Sequence, residues 1–296
     1  MRRVRAFFEA RGLLEVTTPT LGGRPVSDPA LNNLEVPVAP GETRYLQTSP
    51  EYHMKRLLAA GAGPIWQLAP VFRGDEAGRL HAPEFHMLEW YRPGWDQQAL
   101  VQVVSDLLTE LVGSRRLRRR SYADLFRPLG LDPHRDCADT LIRAAAASGL
   151  WLPAGLDRDG LLDALFSHLL APGLGRDGHV DVVDAFPASQ AALARIVPGD
   201  PPVASRFEVF LDGMEIANGY HELSDPVEQA ARFARDQERR QADGRPRVRL
   251  DERLLAALSE GLPDCAGVAL GFERLLMVRL GLERIADVQA FSWERA

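Results

Sequence analysis

Lysine is nearly missing from this chain. Lys55 is the only one among 35 basic residues; the rest are arginine. Alanine, glycine, proline and arginine are all abundant, so the deficit reads as composition rather than as a device. Cysteine is scarce too. Cys137 and Cys265 lie far apart and match no metal or redox spacing, which excludes a disulfide scaffold or a zinc ribbon. No apolar run approaches the roughly 20 residues of a membrane-spanning helix. The opening MRRVRAFFEARG carries no apolar core of a secretory signal; its basic residues fall on an amphipathic helix. A soluble cytoplasmic protein is the expectation. A net charge of −6 argues against broad attraction to nucleic acid.

What is present is a globular composition, 46% hydrophobic and 26% charged over 296 residues. That suffices for one large core, or for a core with an inserted subdomain. The most informative stretch is Phe72 to Tyr91, FRGDEAGRLHAPEFHMLEWY. Two strand-like segments flank a loop that carries Asp75, Glu76, Arg79 and His81 and ends at Pro83. From Glu84 the pattern alternates. Phe85, Met87, Glu89 and Tyr91 share one strand face, and Glu84, His86, Leu88 and Trp90 the other. Arg73 sits just before the loop, with a guanidinium suited to two-pronged contact with a phosphate. An arginine, a stackable ring and an inward carboxylate on one hairpin suit a nucleotide beside an amine. The plainer reading, a half-buried hairpin with a charged tip, fits Arg73 taken alone.

In chain order, residues 2–11 read as a helix with Val4, Phe7 and Phe8 inward and Gly12 as its stop. GLLEVTTPTL reads as a strand closed by Pro19. Residues 22–43 read as a loop holding one short strand, NLEVPV. Ser49 reads as the cap of a helix with Pro50 in its first position and Glu51 in its first turn. GPIWQLAPVFR reads as a buried strand. Asp96 opens a helix that Gly113 ends. SRRLRRRS reads as a solvated connector in preference to an RNA patch. Two helical stretches, DTLIRAAAASG and GLLDALFSHLLAPG, follow, and His134, His168 and His179 there suit no metal site. HVDVVDAFP reads as a strand ended by Pro187.

RFEVFLDGMEIANGYHELSDP is the second informative stretch. Asp212-Gly213 between alternating apolar runs is a strong hairpin signal. Simple register pairs Leu211 with Met214, Phe210 with Glu215 and Glu208 with Ala217. Glu208 and Glu215 then share a face as diagonal neighbours. They repel unless a cation lies between them, and magnesium bridging phosphates suits that place. Taken alone, two solvated glutamates explain the pattern as well. Gly219 is a candidate bulge. After it, DPVEQAARFARDQERRQADG reads as a charged surface helix. AGVALGFERLLMVRLG runs from a strand through Gly271, which lets a ligand approach the backbone, into a helix with Arg274 in its first turn.

FRGDEAGRLHAPEFHMLEWY resembles motif 2 of the class II aminoacyl-tRNA synthetases of the lysyl subgroup, within it the stand-alone lysyl-tRNA synthetase paralogues that modify elongation factor P. The initial helix–strand–proline resembles motif 1, a dimer element, and AGVALGFERLL resembles motif 3. The resemblance spans nearly the whole chain. It implies an α+β fold, the class II synthetase core of mostly antiparallel sheet flanked by helices. It also implies a single catalytic domain over 1–296 with a helical insertion at about 96–178, and a homodimer. Motif 1 starts at once, so no room is expected for an anticodon-binding barrel.

The resemblance further implies residue roles. Arg73 and Arg274 clamp the ATP phosphates and carry catalysis. Gly74, Asp75, Ala82, Phe85, Glu215, Ile216 and Gly271 complete the ATP site, with Phe85 stacked on adenine. Glu208 and Glu215 hold Mg2+. Ser49, Pro50, Glu51, Glu89, Tyr91, Asn218, Glu222 and Ala269 bind a lysine-type amino acid such as (R)-β-lysine. Three departures stand out: Glu273 where the family usually has Asp, Asp75 where it has Glu, and Ala82 where it has Asn. Ala269 is alanine in the factor-modifying paralogues and usually glycine in true lysyl-tRNA synthetases. Three activities follow. One is an ATP-dependent ligase acting on elongation factor P. The others are a minimal lysyl-tRNA synthetase, which the missing barrel disfavours, and a non-catalytic regulatory paralogue, which the retained Arg73, Glu208, Glu215 and Arg274 disfavour.

Overall fold

A computed structural model describes residues 1–296. The chain divides into two compact units, residues 1–95 with 223–296, and residues 96–222. In chain order the first unit begins with α1 (Arg2–Glu9), β1 (Leu14–Glu15), β2 (Leu21–Gly22), β3 (Glu35–Ala39), β4 (Glu42–Leu46), α2 (Glu51–Ala59), β5 (Ile65–Phe72) and β6 (Glu84–Pro93). The second unit holds α3 (Gln97–Val112), β7 (Arg116–Ser121), α4 (Tyr122–Phe126), α5 (Ala138–Ala147), α6 (Arg158–Leu165), β8 (His179–Pro187), β9 (Ile196–Val197), β10 (Val203–Leu211) and β11 (Met214–His221). The first unit is completed by α7 (Pro226–Ala242), α8 (Glu252–Gly261), β12 (Cys265–Gly271) and α9 (Phe272–Leu280). Helices around a mostly antiparallel sheet make this an α+β fold.

In the first unit the strand order is β1-β5-β6-β12. β1 runs parallel to β5, and the other pairs are antiparallel. The alternation of β6 decides which side chains meet which layer. Trp90 is paired with Trp66 across β5 and β6. Phe8 of α1 stacks on Trp66 at 4.9 Å and meets Trp90 at 5.2 Å, so the Leu88–Trp90 face is the core face. Aromatic pairs of this kind add about 0.5–1.5 kcal/mol beyond their burial. The opposite face is thereby left to Phe85, Met87, Glu89 and Tyr91. β6 begins at Glu84, directly after Pro83. Its cross-strand neighbours on β12 are small: Gly267 opposite Tyr91, Ala269 opposite Glu89 and Gly271 opposite Met87.

The second unit orders its strands β11-β10-β8-β7, with β9 added on β10 and β7 parallel to β8. Its core gathers Tyr122, Phe126, Phe166, Phe186 and Phe210 from α4, the turn after α6, β8 and β10. Tyr122 lies 4.7 Å from Phe186 and 5.1 Å from Phe166 between ring centroids. Asp96 caps α3 by accepting from the Ala99 N–H, and Gly113 closes it. Asp212 and Gly213 both take positive φ, 52° and 80°, as a tight hairpin turn of the primed kind requires.

Several local expectations are corrected. GLLEVTTPTL contributes only the two-residue β1 and, at its end, Leu21 of β2; Val16 to Thr20, with Pro19, lie outside the strands. NLEVPV pairs with β4, which straddles the end of the expected loop at residue 43, giving a small sheet β2-β4-β3. SRRLRRRS is not a connector. It includes edge strand β7, and four of its five arginines are paired: Arg118 with Asp181 at 2.5 Å, Arg119 with Asp184 at 2.6 Å, Arg115 with Asp212 at 2.8 Å and Arg120 with Asp181 at 3.6 Å. α7 is no solvated surface helix, for Arg232, Phe233, Gln237 and Arg240 are buried. Arg240 donates from Nε to the Pro246 carbonyl at 3.1 Å. α8 was not foreseen at all. It starts at the capping Asp251 and packs against α2 and α7.

Candidate active site

In the first unit a polar chain forms on the face of β6 opposite the Trp66–Trp90 pair. Tyr91 donates its hydroxyl to Glu89 Oε1 at 2.6 Å. Ser49 donates from Oγ to Glu89 Oε2 at 2.8 Å and accepts from the Glu51 N–H at 3.0 Å. Ser49 thus caps α2 from one position earlier than expected, since Pro50 is the residue flanking the helix. Lys55, one turn along α2, sets its Nζ 2.7 Å from Glu51 Oε1. Glu89 is only 1% exposed. Ser49, Glu51, Glu89 and Tyr91 are therefore held together, and Ala269 lies beside Glu89 across the β6–β12 ladder.

The loop between β5 and β6 is tied at both ends. The Arg73 N–H bonds the Pro83 carbonyl at 2.9 Å, and the Gly74 N–H bonds the Asn32 carbonyl at 2.9 Å. Asp75 has a φ of 62° and accepts from the Asn32 amide. Ala82 is buried. The Arg73 guanidinium lies 5.3 Å from the Phe85 ring centre, a cation–π distance, and 3.9 Å from Glu76. Arg274, in the first turn of α9, donates from Nε to the Leu80 carbonyl at 3.3 Å and meets His81 Nε2 at 2.7 Å. Gly271 is the N-cap of α9. Glu273 accounts for its own departure from the family residue. Its longer side chain accepts the His86 N–H at 2.9 Å and meets His86 Nδ1 at 2.8 Å. That contact raises the His86 pKa above its ordinary value, against the opposing effect of burial.

In the second unit the register of β10 and β11 differs from simple alternation. Leu211 pairs with Met214 and Phe210 with Glu215, as expected. Val209 then pairs with Ala217 and Glu208 with Asn218, not with Ala217. Ile216 is the extra residue, so the bulge sits there and not at Gly219. An inserted residue flips the faces beyond it. Asn218 and Tyr220 thereby join Glu208 and Arg206 on one face. Glu222 continues β11 into a bridge with Ala194 and is 1% exposed. Buried Asn218 Oδ1 has no protein partner.

Glu208 is ion-paired with Arg206, two residues back on the same strand face. Burial pushes the Glu208 carboxyl up to about 7; Arg206 pulls it down, and the nearby charge of Glu215 pushes it further up. Magnesium is usually held by one or two carboxylates together with substrate phosphate oxygens. Glu208 and Glu215 supply that number, and no third histidine, cysteine or acid joins them. The donor set and the orphaned Asn218 oxygen beside it fit a hydrated metal with phosphates.

The sequence reading missed four partners: Lys55 on Glu51, Arg206 on Glu208, His81 on Arg274 and Glu273 on His86. Two were within reach of spacing. Lys55 is four residues after Glu51 in a helix, and Arg206 is two residues before Glu208 in a strand.

The family of tRNA synthetases class II (D, K and N) matches residues 1–295. The chain belongs to this family. Among curated class II relatives, the protein named elongation factor P–(R)-beta-lysine ligase of Photorhabdus laumondii is 47% identical, covering 100% of this chain and 93% of the relative. The proteins of the same name from Haemophilus influenzae and Pasteurella multocida are 46% and 47% identical, each over 99% of this chain and 93% and 92% of their own lengths. No helix is long and apolar enough to cross a membrane.

Proposed function

We propose that this chain activates a lysine-type amino acid, (R)-β-lysine, with ATP and transfers it to a lysine side chain of elongation factor P. One observation carries the reading. A buried glutamate, Glu89, is fixed by Tyr91 and Ser49 in a family whose members activate amino acids. A preorganised carboxylate of this kind suits a substrate ammonium. The names of relatives at 46–47% identity over nearly their full length support the same substrate and acceptor.

In the first step a carboxylate oxygen of the amino acid attacks the ATP α-phosphate. The bond to the β-phosphate breaks, pyrophosphate leaves, and an aminoacyl-adenylate remains. In the second step the ε-amine of the acceptor attacks the acyl carbon, AMP leaves, and the amine gives up a proton. No protein nucleophile is needed. Catalysis is positioning and charge neutralisation. Arg73 and Arg274 meet the phosphates; Phe85 receives the adenine; Gly74, Asp75, Ala82, Ile216 and Gly271 border the nucleotide. Glu208 and Glu215 would hold magnesium, which neutralises phosphate charge when bound. Pro50, Glu51, Glu89, Tyr91, Asn218 and Glu222 read the substrate amino groups. A homodimer formed through the α1–β1 region completes the reading; Leu14 and Leu21 are exposed there.

The test is pyrophosphate exchange with a panel of lysine isomers. The expected result is exchange with β-lysine exceeding that with α-lysine. An enzyme inert toward every isomer in the presence of magnesium and ATP would overturn the reading.

A further inference from the structure

Composition explains why the basic positions of this chain are arginine. It does not explain why the one lysine lies inside. Lys55 is 2% exposed, and its ammonium lies 2.7 Å from Glu51 Oε1. Burying an ammonium costs several kcal/mol unless a carboxylate neutralises it, and here the contact is an ion pair rather than an aligned hydrogen bond. A lysine there offers a compact point charge on a thin stem, where arginine would bring a broad planar fork. Glu51 is held at a second point. Its N–H bonds Ser49 Oγ at 3.0 Å, and Ser49 in turn donates to Glu89 at 2.8 Å. Glu51 and Glu89 are thus linked through one serine, and Lys55 fixes the far end of that chain.

We propose that Lys55 is a positioning residue of the amino-acid site. Its ammonium pins one oxygen of Glu51 and so presents a fixed carboxylate to an ammonium group of a lysine-type substrate. The inference rests on the proposed function, which assigns Glu51 to substrate recognition. Simple charge counting predicts the reverse effect. A cation beside the carboxylate repels a cationic substrate, so removing it would tighten binding. Positioning predicts that removing it loosens binding.

The experiment compares the full-length chain with Lys55→Met, Glu51→Gln and the double variant. Binding of lysine and β-lysine is measured by calorimetry, and KM for amino acid and for ATP by pyrophosphate exchange. In Lys55→Met the amino-acid Kd and KM rise on the order of tenfold or more, while KM for ATP moves by less than about twofold. In the double variant the amino-acid affinity equals that of Glu51→Gln alone, as a role exercised through Glu51 requires. The double variant removes both members of the ion pair, so it carries the comparison if Lys55→Met does not fold. Unchanged or tighter amino-acid binding in Lys55→Met overturns the inference. So does a parallel loss of amino-acid and ATP affinity, or a double variant that binds more weakly than Glu51→Gln. A wild-type chain that binds lysine without exchanging pyrophosphate rejects the proposed reaction alone, and the calorimetric comparison still decides the role of Lys55.

Discussion

At the scale of residues, the two metal-site glutamates are not equivalent. Glu208 is the ion-pair partner of half-buried Arg206, and Phe210 stands opposite Glu215 in the ladder. Both Glu208→Gln and Glu215→Gln should abolish adenylate formation in pyrophosphate exchange. Glu208→Gln should also lower stability, by about 1–3 kcal/mol, because it removes the carboxylate ion-paired with half-buried Arg206. Paired urea melts measure the difference; equal stabilities would mean that the Arg206 pair contributes nothing. Ala269 invites a second substitution. Its methyl lies beside Glu89 across the ladder, on the face where its neighbours Gly267 and Gly271 carry no side chain. Ala269→Gly should shift the α-lysine to β-lysine activation ratio toward α-lysine by about 1–3 kcal/mol, the usual worth of one small group in a pocket. An unchanged ratio would remove Ala269 as the discriminator.

At the scale of elements, β6 and α9 are joined by a titratable clasp. The Glu273 carboxylate holds both the His86 N–H and the His86 ring, and the ring pKa is raised. A histidine raised on folding stabilises fully below its ordinary pKa, about 6.5, and that contribution is lost as pH rises through the folded value. The melting temperature of wild type should therefore exceed that of His86→Gln more at mildly acidic pH than at alkaline pH. The backbone bond to Glu273 survives the substitution and serves as the internal control. A pH-independent difference would show that the ring contact is packing alone. The β10–β11 hairpin makes a different point. One bulge residue, Ile216, decides that Asn218 shares a face with Glu208. Strand alternation alone would have sent it to the other side.

At the scale of the whole molecule, charge bears on the acceptor. The chain carries −6 overall, and four of the five arginines of its most basic run are paired with Asp181, Asp184 and Asp212. A polyanion gains little from such a surface. A protein acceptor needs only a lysine that can reach the adenylate. Labelled β-lysine should accordingly pass to elongation factor P and not to lysine tRNA when both are present in one tube. Protease and ribonuclease digestion separate the products. Label released by ribonuclease and resistant to protease would favour a minimal lysyl-tRNA synthetase.

The sequence by itself determined the features that are local. The alternation of β6 after Pro83, the Asp212-Gly213 turn, the Asp96 cap and the Gly113 stop depend on neighbouring residues only, so their periodicity and turn chemistry are legible in order along the chain. The candidate residues were legible through motif likeness, which carries information about distant partners that periodicity does not. Tertiary structure decided the rest. SRRLRRRS includes a strand because β8 offers a ladder and aspartates to neutralise it, neither of which is near in sequence. Arg240 of α7 is buried because the distant carbonyls of Pro246 and Asp28 accept hydrogen bonds from it, whereas Arg232 pairs with Glu228 on the same helix. The bulge at Ile216 adds one residue to β11 relative to β10, and a change of register exists only between two strands. It cannot be read from either strand alone.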